Sequence, residues 1–144
     1  MISTINSSLF KYLFFTIISL SFLSACSKKV MFQNSVIVPA ARGYVKVSKD
    51  DNKNFVIKVE LTNLAEVTRL QPPKKSYVIW LVSDDEITKN IGQIKSSSSM
   101  LSSKLKASFE TVSSSKPTKI FITAENDENV KVYGNQIVLT TDKF

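Results

Sequence analysis

Six consecutive apolar residues, Tyr77-Val78-Ile79-Trp80-Leu81-Val82, constrain this chain more than any other feature. They follow the break Pro72-Pro73-Lys74-Lys75 and precede Asp84-Asp85-Glu86. The run is rich in β-branched and aromatic types, which suit strands. Successive residues of a strand face opposite sides. Tyr77, Ile79 and Leu81 therefore share one face, and Val78, Trp80 and Val82 the other. A strand that is apolar on both faces has to be covered on both, so this one belongs in the middle of the fold.

The remaining apolar runs read as the covering layers. In Gly43 to Val47, Val45 and Val47 point inward and Lys46 outward. Phe55 to Leu61 alternates as cleanly, with Phe55, Ile57, Val59 and Leu61 on one face. Between them, residues 49–54 are turn chemistry, so the pair forms a hairpin with one wet side. Val36-Ile37-Val38 reads as a short first strand stopped by Pro39. Ile91 to Ile94, Lys104 to Glu110 (Leu105, Ala107 and Phe109 inward), Lys119 to Ala124 and Gln136 to Thr140 follow, with Val130 to Tyr133 as a short edge. In 62–75 the helical spacing of Leu64, Val67 and Leu70 ends at Pro72-Pro73. That segment reads as a loop with one helical turn, its leucines plugging the sheet edge. The expected fold is all-β: an antiparallel β-sandwich of seven to nine short strands.

The N-terminus reads as a targeting segment. Lys11 precedes an apolar run of 11 residues, Tyr12 to Phe22. A spanning helix needs about 20 apolar residues, whereas a run of about 7–15 after a basic start is a secretory core. Leu23-Ser24-Ala25-Cys26 follows directly. These four residues resemble the lipobox of bacterial lipoproteins. The resemblance implies cleavage before Cys26, a diacylglyceryl thioether on its sulfur and acylation, palmitate included, of the new amino group. Acyl chains contribute about 0.8 kcal/mol per buried CH₂, so two or three give stable anchoring. Residues 1–25 are then a lipoprotein signal peptide, 26–35 a tether and 36–144 the sandwich. Ser27, where an Asp would retain a lipoprotein in the inner membrane, implies outer-membrane sorting in an organism that has one. Lys28-Lys29 reads as solvated linker, with contact to anionic head groups as the alternative.

Composition narrows the chemistry. The 144 residues include one cysteine and no histidine. Without histidine the usual neutral-pH acid/base group and the commonest metal ligand are missing. With Cys26 alone, neither an internal disulfide nor a thiolate zinc site can form. Asp84, Asp85 and Glu86 sit in a hairpin turn, where solvation is the simpler reading than cation binding. Asp50, Asp51, Asn52 and Asn54 lack EF-hand spacing. A serine nucleophile needs a base; without histidine only a Ser–Lys pair remains, and the many serines and lysines lie in low-complexity loops. The net charge is +7, and Lys11 is the leader's only charged residue, so the rest carries +6. Its lysines alternate with apolar residues as outward strand faces and form no dense basic run, which argues against nucleic acid.

Several pieces in order resemble one family. They are Tyr77-x-x-Trp80-Leu81, Ile91-Gly92-Gln93-Ile94, Ile122-Thr123-Ala124-Glu125 and a final Gly134-x-x-Ile137-Val138-Leu139. Over roughly residues 40–141 this is similar to the extracytoplasmic C-terminal domain of anti-sigma-K-type factors. That family's domain normally follows a cytoplasmic sigma-binding segment and a transmembrane helix; here a lipid anchor would replace both. Its Gly-Gly-Ser and Pro-Thr-Gly turn is replaced by Asn126-Asp127-Glu128-Asn129. The resemblance implies a regulatory sandwich without catalysis, and sigma-factor inhibition does not carry over.

The sequence thus predicts a non-enzymatic, cofactor-free lipoprotein of the cell envelope, membrane-anchored on the periplasmic side through Cys26. It would bind an envelope protein or sense envelope state through loops such as Asp84–Asn90 and Lys95–Ser103. The competing reading is a small-ligand or cation-binding lipoprotein with a pocket beside Trp80.

Overall fold

The computed structural model describes residues 27–95, 97–98 and 105–144, the pair 97–98 by backbone only. Among the described residues nine strands form: β1 (Lys28–Met31), β2 (Arg42–Lys49), β3 (Phe55–Thr62), β4 (Ser76–Ser83), β5 (Thr88–Ile94), β6 (Ser97–Ser98), β7 (Leu105–Ser113), β8 (Pro117–Glu125) and β9 (Ile137–Thr140). One sheet has the order β1-β2-β3-β7-β6 and the other β5-β4-β8-β9. Every pairing is antiparallel. The all-β sandwich expected from the strand rhythm is what forms.

The two-faced strand β4 lies inside its sheet, between β5 and β8. Its face of Tyr77, Ile79 and Leu81 joins Val45, Ile57, Val59 and Leu61 of the opposite sheet in one core. Burying a side chain of that size contributes about 1.5–3 kcal/mol, so this layer holds the sheets together. Leu64 and Leu70 enter the same core from the connection after β3. There a 3-10 turn, Val67–Arg69, supplies the single helical turn expected. Tyr77 is buried, and its hydroxyl donates to the Ala65 carbonyl at 2.9 Å, fixing that connection to β4.

The other face of β4 builds a second, smaller core. Val78, Trp80 and Phe121 are buried there, with Val82 and Val130 against them. Phe121 lies opposite Trp80 in the β4–β8 register. Their rings stack at 6.2 Å, and Tyr133 meets both edge-on at 5.7 and 5.0 Å. Thus the 126–136 connection closes the outer face of the sheet. Residues 130–133, expected as an edge strand, are a loop that serves as this cover. The buried Glu125 carboxylate accepts the Gly134 N–H at 2.8 Å. The Asn90 side chain donates to the Glu128 and Val130 carbonyls at 2.9 and 3.0 Å.

The N-terminal boundary differs from the sequence reading. The tether expected over 26–35 and the strand expected at Val36–Val38 exchange roles. Lys28–Met31 pairs with β2, Lys28 opposite Val47 and Val30 opposite Val45. Phe32 then bridges Thr141 beyond β9, which ties the two sheets along one side. Residues 35–41 form a turn: the Ser35 hydroxyl accepts the Val38 N–H at 2.9 Å, and the Ala41 N–H reaches the Val38 carbonyl at 2.9 Å. A serine bonding backbone in this way competes with strand pairing, and Val36 is left 94% exposed. Among the described residues, both sheets and their shared core are built from residues 28–144.

Candidate functional site

The sandwich has two ends, and the end where β1 begins carries an open cleft. Alternation explains it. Val45 and Val47 point into the core, so Lys49, two residues on, has the same phase. Lys28, opposite Val47, sits at the matching position of β1. The inward register at this end is therefore filled by lysines, which extend to solvent and leave the gap between the sheets unfilled. The resulting cleft of about 480 Å³ is lined by Lys28, Lys49, Lys116, Phe55, Pro117 and Phe144, with Val47 and Ser48 behind them.

The cations lie over apolar surface. The Lys28 ammonium is 5.5 Å from the Phe144 ring centre and the Lys49 ammonium 5.4 Å from that of Phe55. Both distances suit a cation–π contact. Phe144 is held in place by its own N–H, which donates to the Thr118 carbonyl at 2.8 Å. Three lysines and no acidic side chain line the cleft. Acids stand on the neighbouring turns, Asp84 and Asp85 against Phe55 and Lys116. The Asp50 carboxylate accepts the Asn52 and Asn54 N–H groups at 2.9 and 2.8 Å. Asp85 accepts the Ser83 hydroxyl, which holds its carboxyl below the usual carboxylate range. Glu86 pairs with Lys143 at 3.3 Å.

The residues singled out from sequence resolve as follows. The acids Asp84, Asp85 and Glu86 stay in the β4–β5 turn and are exposed. Among the described residues, no group of three or more His, Cys, Asp or Glu is placed to hold a metal ion. Trp80 is fully buried and donates its indole N–H to Thr123 at 2.8 Å, so it packs the second core and does not line an open pocket. Cys26 and the leader 1–25 lie outside the described residues, as does most of 95–103. Among the described residues no helix is long and apolar enough to cross a membrane. Sequence reasoning missed the cleft. Its residues come from five separate segments, and the one available signal was the lysine that continues the inward phase of Val45 and Val47.

Exposed apolar side chains occur at both ends, Ile87 and Val112 at the cleft end. Val36 is 94% and Val132 78% exposed, with Met31, Tyr133 and Ile137 also standing in solvent. Val36 belongs to the β1–β2 connection, and Val132 and Tyr133 to the β8–β9 connection. Both connections leave from the end opposite the cleft: β2 starts at Arg42 there and reaches the cleft at Lys49, and β8 ends there at Glu125. Comparison with known protein families, curated proteins and solved structures finds no match for this chain.

Proposed function

We propose that this chain is a lipid-anchored protein of the cell envelope whose sandwich is a binding module and not an enzyme. The observation that carries the reading is the position of β1. The strand opens at Lys28, two residues after the Cys26 of the lipobox-like Leu23-Ser24-Ala25-Cys26. Anchor and fold are then joined almost directly, and the cleft end faces the bilayer. The polar side chains buried in the sandwich support a non-catalytic reading, because their hydrogen bonds go to structure. Thr123 receives the Trp80 indole, Thr141 the Ile120 N–H, Glu125 the Gly134 N–H and Ser35 the Val38 N–H.

In this arrangement the Asp84–Asn90 turn lies on the bilayer side and is poorly placed for a partner. Val36 projects at the opposite end and Val132 and Tyr133 stand on the cover of the second sheet, and an envelope protein would meet the module there. The similarity to the anti-sigma-K-type extracytoplasmic domain fits such a role without extending it to a sigma factor. The test of the anchor is metabolic labelling with palmitate in cells expressing the wild type or Cys26→Ala. The wild type alone should take up label; equal incorporation in both would remove the anchored reading.

A further inference from the structure

We propose that the cleft between Phe55 and Phe144 binds an anionic phospholipid of the adjoining bilayer, with the charged head at Lys28, Lys49 and Lys116 and the start of an acyl chain against the two rings. The proposal rests on the anchored reading for the cleft's position. Its chemistry stands on the cleft itself.

The cleft offers what an anionic amphiphile requires. Its floor is aromatic and aliphatic, and its rim carries three ammonium groups and no acidic side chain. Lys28 and Lys49 lie directly over the phenyl rings, so each pairs a charge with an apolar contact. At about 480 Å³ it falls within the size of small-molecule sites, which run from about 300 to 1,000 Å³. Asp84 and Asp85 stand beside the rim, against Phe55 and Lys116, and the three lysines outnumber them.

Chain length sets the depth. Two residues of extended chain span at most about 7 Å, so Lys28 cannot lie farther than that from an acylated Cys26. The head-group layer of one leaflet is itself roughly 5–7 Å thick. Lys28 and the mouth of the cleft therefore sit at the level of the lipid phosphates. A lysine at that level is drawn to anionic lipid. Inorganic phosphate shares the head's anionic oxygens but not its apolar chain, which distinguishes the two sources.

The test uses residues 27–144 without acyl groups, so it can fail independently of the palmitate result at Cys26. Sedimentation with phosphatidylglycerol vesicles should exceed that with phosphatidylcholine vesicles by about tenfold or more at low salt and fall as salt rises. Amide resonances of Val47, Ser48 and Phe55 should shift with the anionic vesicles or their short-chain lipid. The triple variant Lys28→Gln/Lys49→Gln/Lys116→Gln should lose about fivefold or more of the binding, and the distant Lys74→Gln/Lys75→Gln/Lys95→Gln less than about twofold. Phe144→Ser, which changes no charge, should also weaken binding. Equal loss in the two triple variants, no preference for anionic vesicles, or the same amide shifts with inorganic phosphate alone would overturn the proposal.

Discussion

The Trp80 indole N–H and the Thr123 hydroxyl oxygen lie 2.8 Å apart in the interior of the second sheet, the single donor of one side chain matched to the other. Trp80 belongs to β4 and Thr123 to β8, strands that pair along their whole length. The bond ties the two pieces Tyr77-x-x-Trp80-Leu81 and Thr123-Ala124-Glu125 into one element. Both pieces are explained by packing, whatever else they signify.

Two substitutions separate the packing of this pair from its polarity. Thr123→Val keeps the shape and leaves the indole N–H unpartnered, which should cost about 1–3 kcal/mol. Trp80→Ala empties the second core and should cost about 3–5 kcal/mol. Against a stability of about 5–15 kcal/mol for an ordinary domain, the second loss approaches unfolding. Urea melts of residues 27–144 provide the measure. A Trp80→Ala loss under about 1 kcal/mol would be incompatible with a buried indole.

The 126–136 cover should detach without loss of the main core. A Cβ added at Gly134 would stand 2.9 Å from Glu125 Oε2, closer than such atoms pack. Gly134→Ala therefore has to displace the carboxylate that holds the Gly134 N–H. Tyr133 would leave the Trp80 and Phe121 rings with it. Trp80 is the chain's single tryptophan, so its fluorescence reports the change directly. The emission should move to the red and become quenchable by acrylamide while the far-ultraviolet circular dichroism stays that of a β protein. Unchanged emission would mean that the cover does not depend on this contact.

Tyr77 should give the fold an alkaline limit. Burial pushes its hydroxyl up to about 12 from the ordinary 10.0. The unfolded chain loses this proton first, so the contribution is complete below about pH 10 and declines as pH rises toward 12. Tyr77→Phe removes the titrating group and the bond to Ala65, and should cost about 1 kcal/mol at neutral pH. The gap between wild type and variant should then shrink above pH 10 as the wild type loses its advantage. Melts at pH 8, 10 and 11 test the sign; a gap that widens with pH would contradict it.

The sequence pattern was legible wherever alternation was strong. Phe55, Ile57, Val59 and Leu61 announce β3, and the two-sided run at 77–82 announces β4, because each residue's burial follows its phase. The first strand was hidden for the opposite reason. In Lys28-Lys29-Val30-Met31 no side chain is fully buried, so no apolar phase marks it, and its pairing with β2 is what makes it a strand. Val36-Ile37-Val38 misled because β-branched residues suggest a strand, while the Ser35 hydroxyl had already turned the backbone. Val130 and Tyr133 belong to a cover and not a strand, which depends on the distant Trp80 and Phe121. The cleft could not be read because Lys28, Phe55 and Phe144 meet only once both sheets are assembled.

The short distance from Cys26 to Lys28 also predicts how the sandwich stands on the membrane. If an acylated Cys26 holds the cleft end against the bilayer, Lys28, Lys49 and Lys116 are shielded, while Lys74, Lys75 and Lys95, on the loops of the opposite end, face water. An amine-reactive reagent that cannot cross membranes, applied to membrane preparations with the protein's own face accessible, would read both sets by peptide mass spectrometry. The cleft lysines should be modified several-fold more slowly than the others, in keeping with burial at the head-group level. Inserting about ten Gly and Ser residues between Ser27 and Lys28 gives a flexible link whose mean span is roughly 16–19 Å. That link lifts the cleft off the surface, and the two rates should converge while palmitate labelling at Cys26 stays unchanged. Equal rates in the chain without the insert would show that the sandwich is not held at its β1 end, even with the anchor in place.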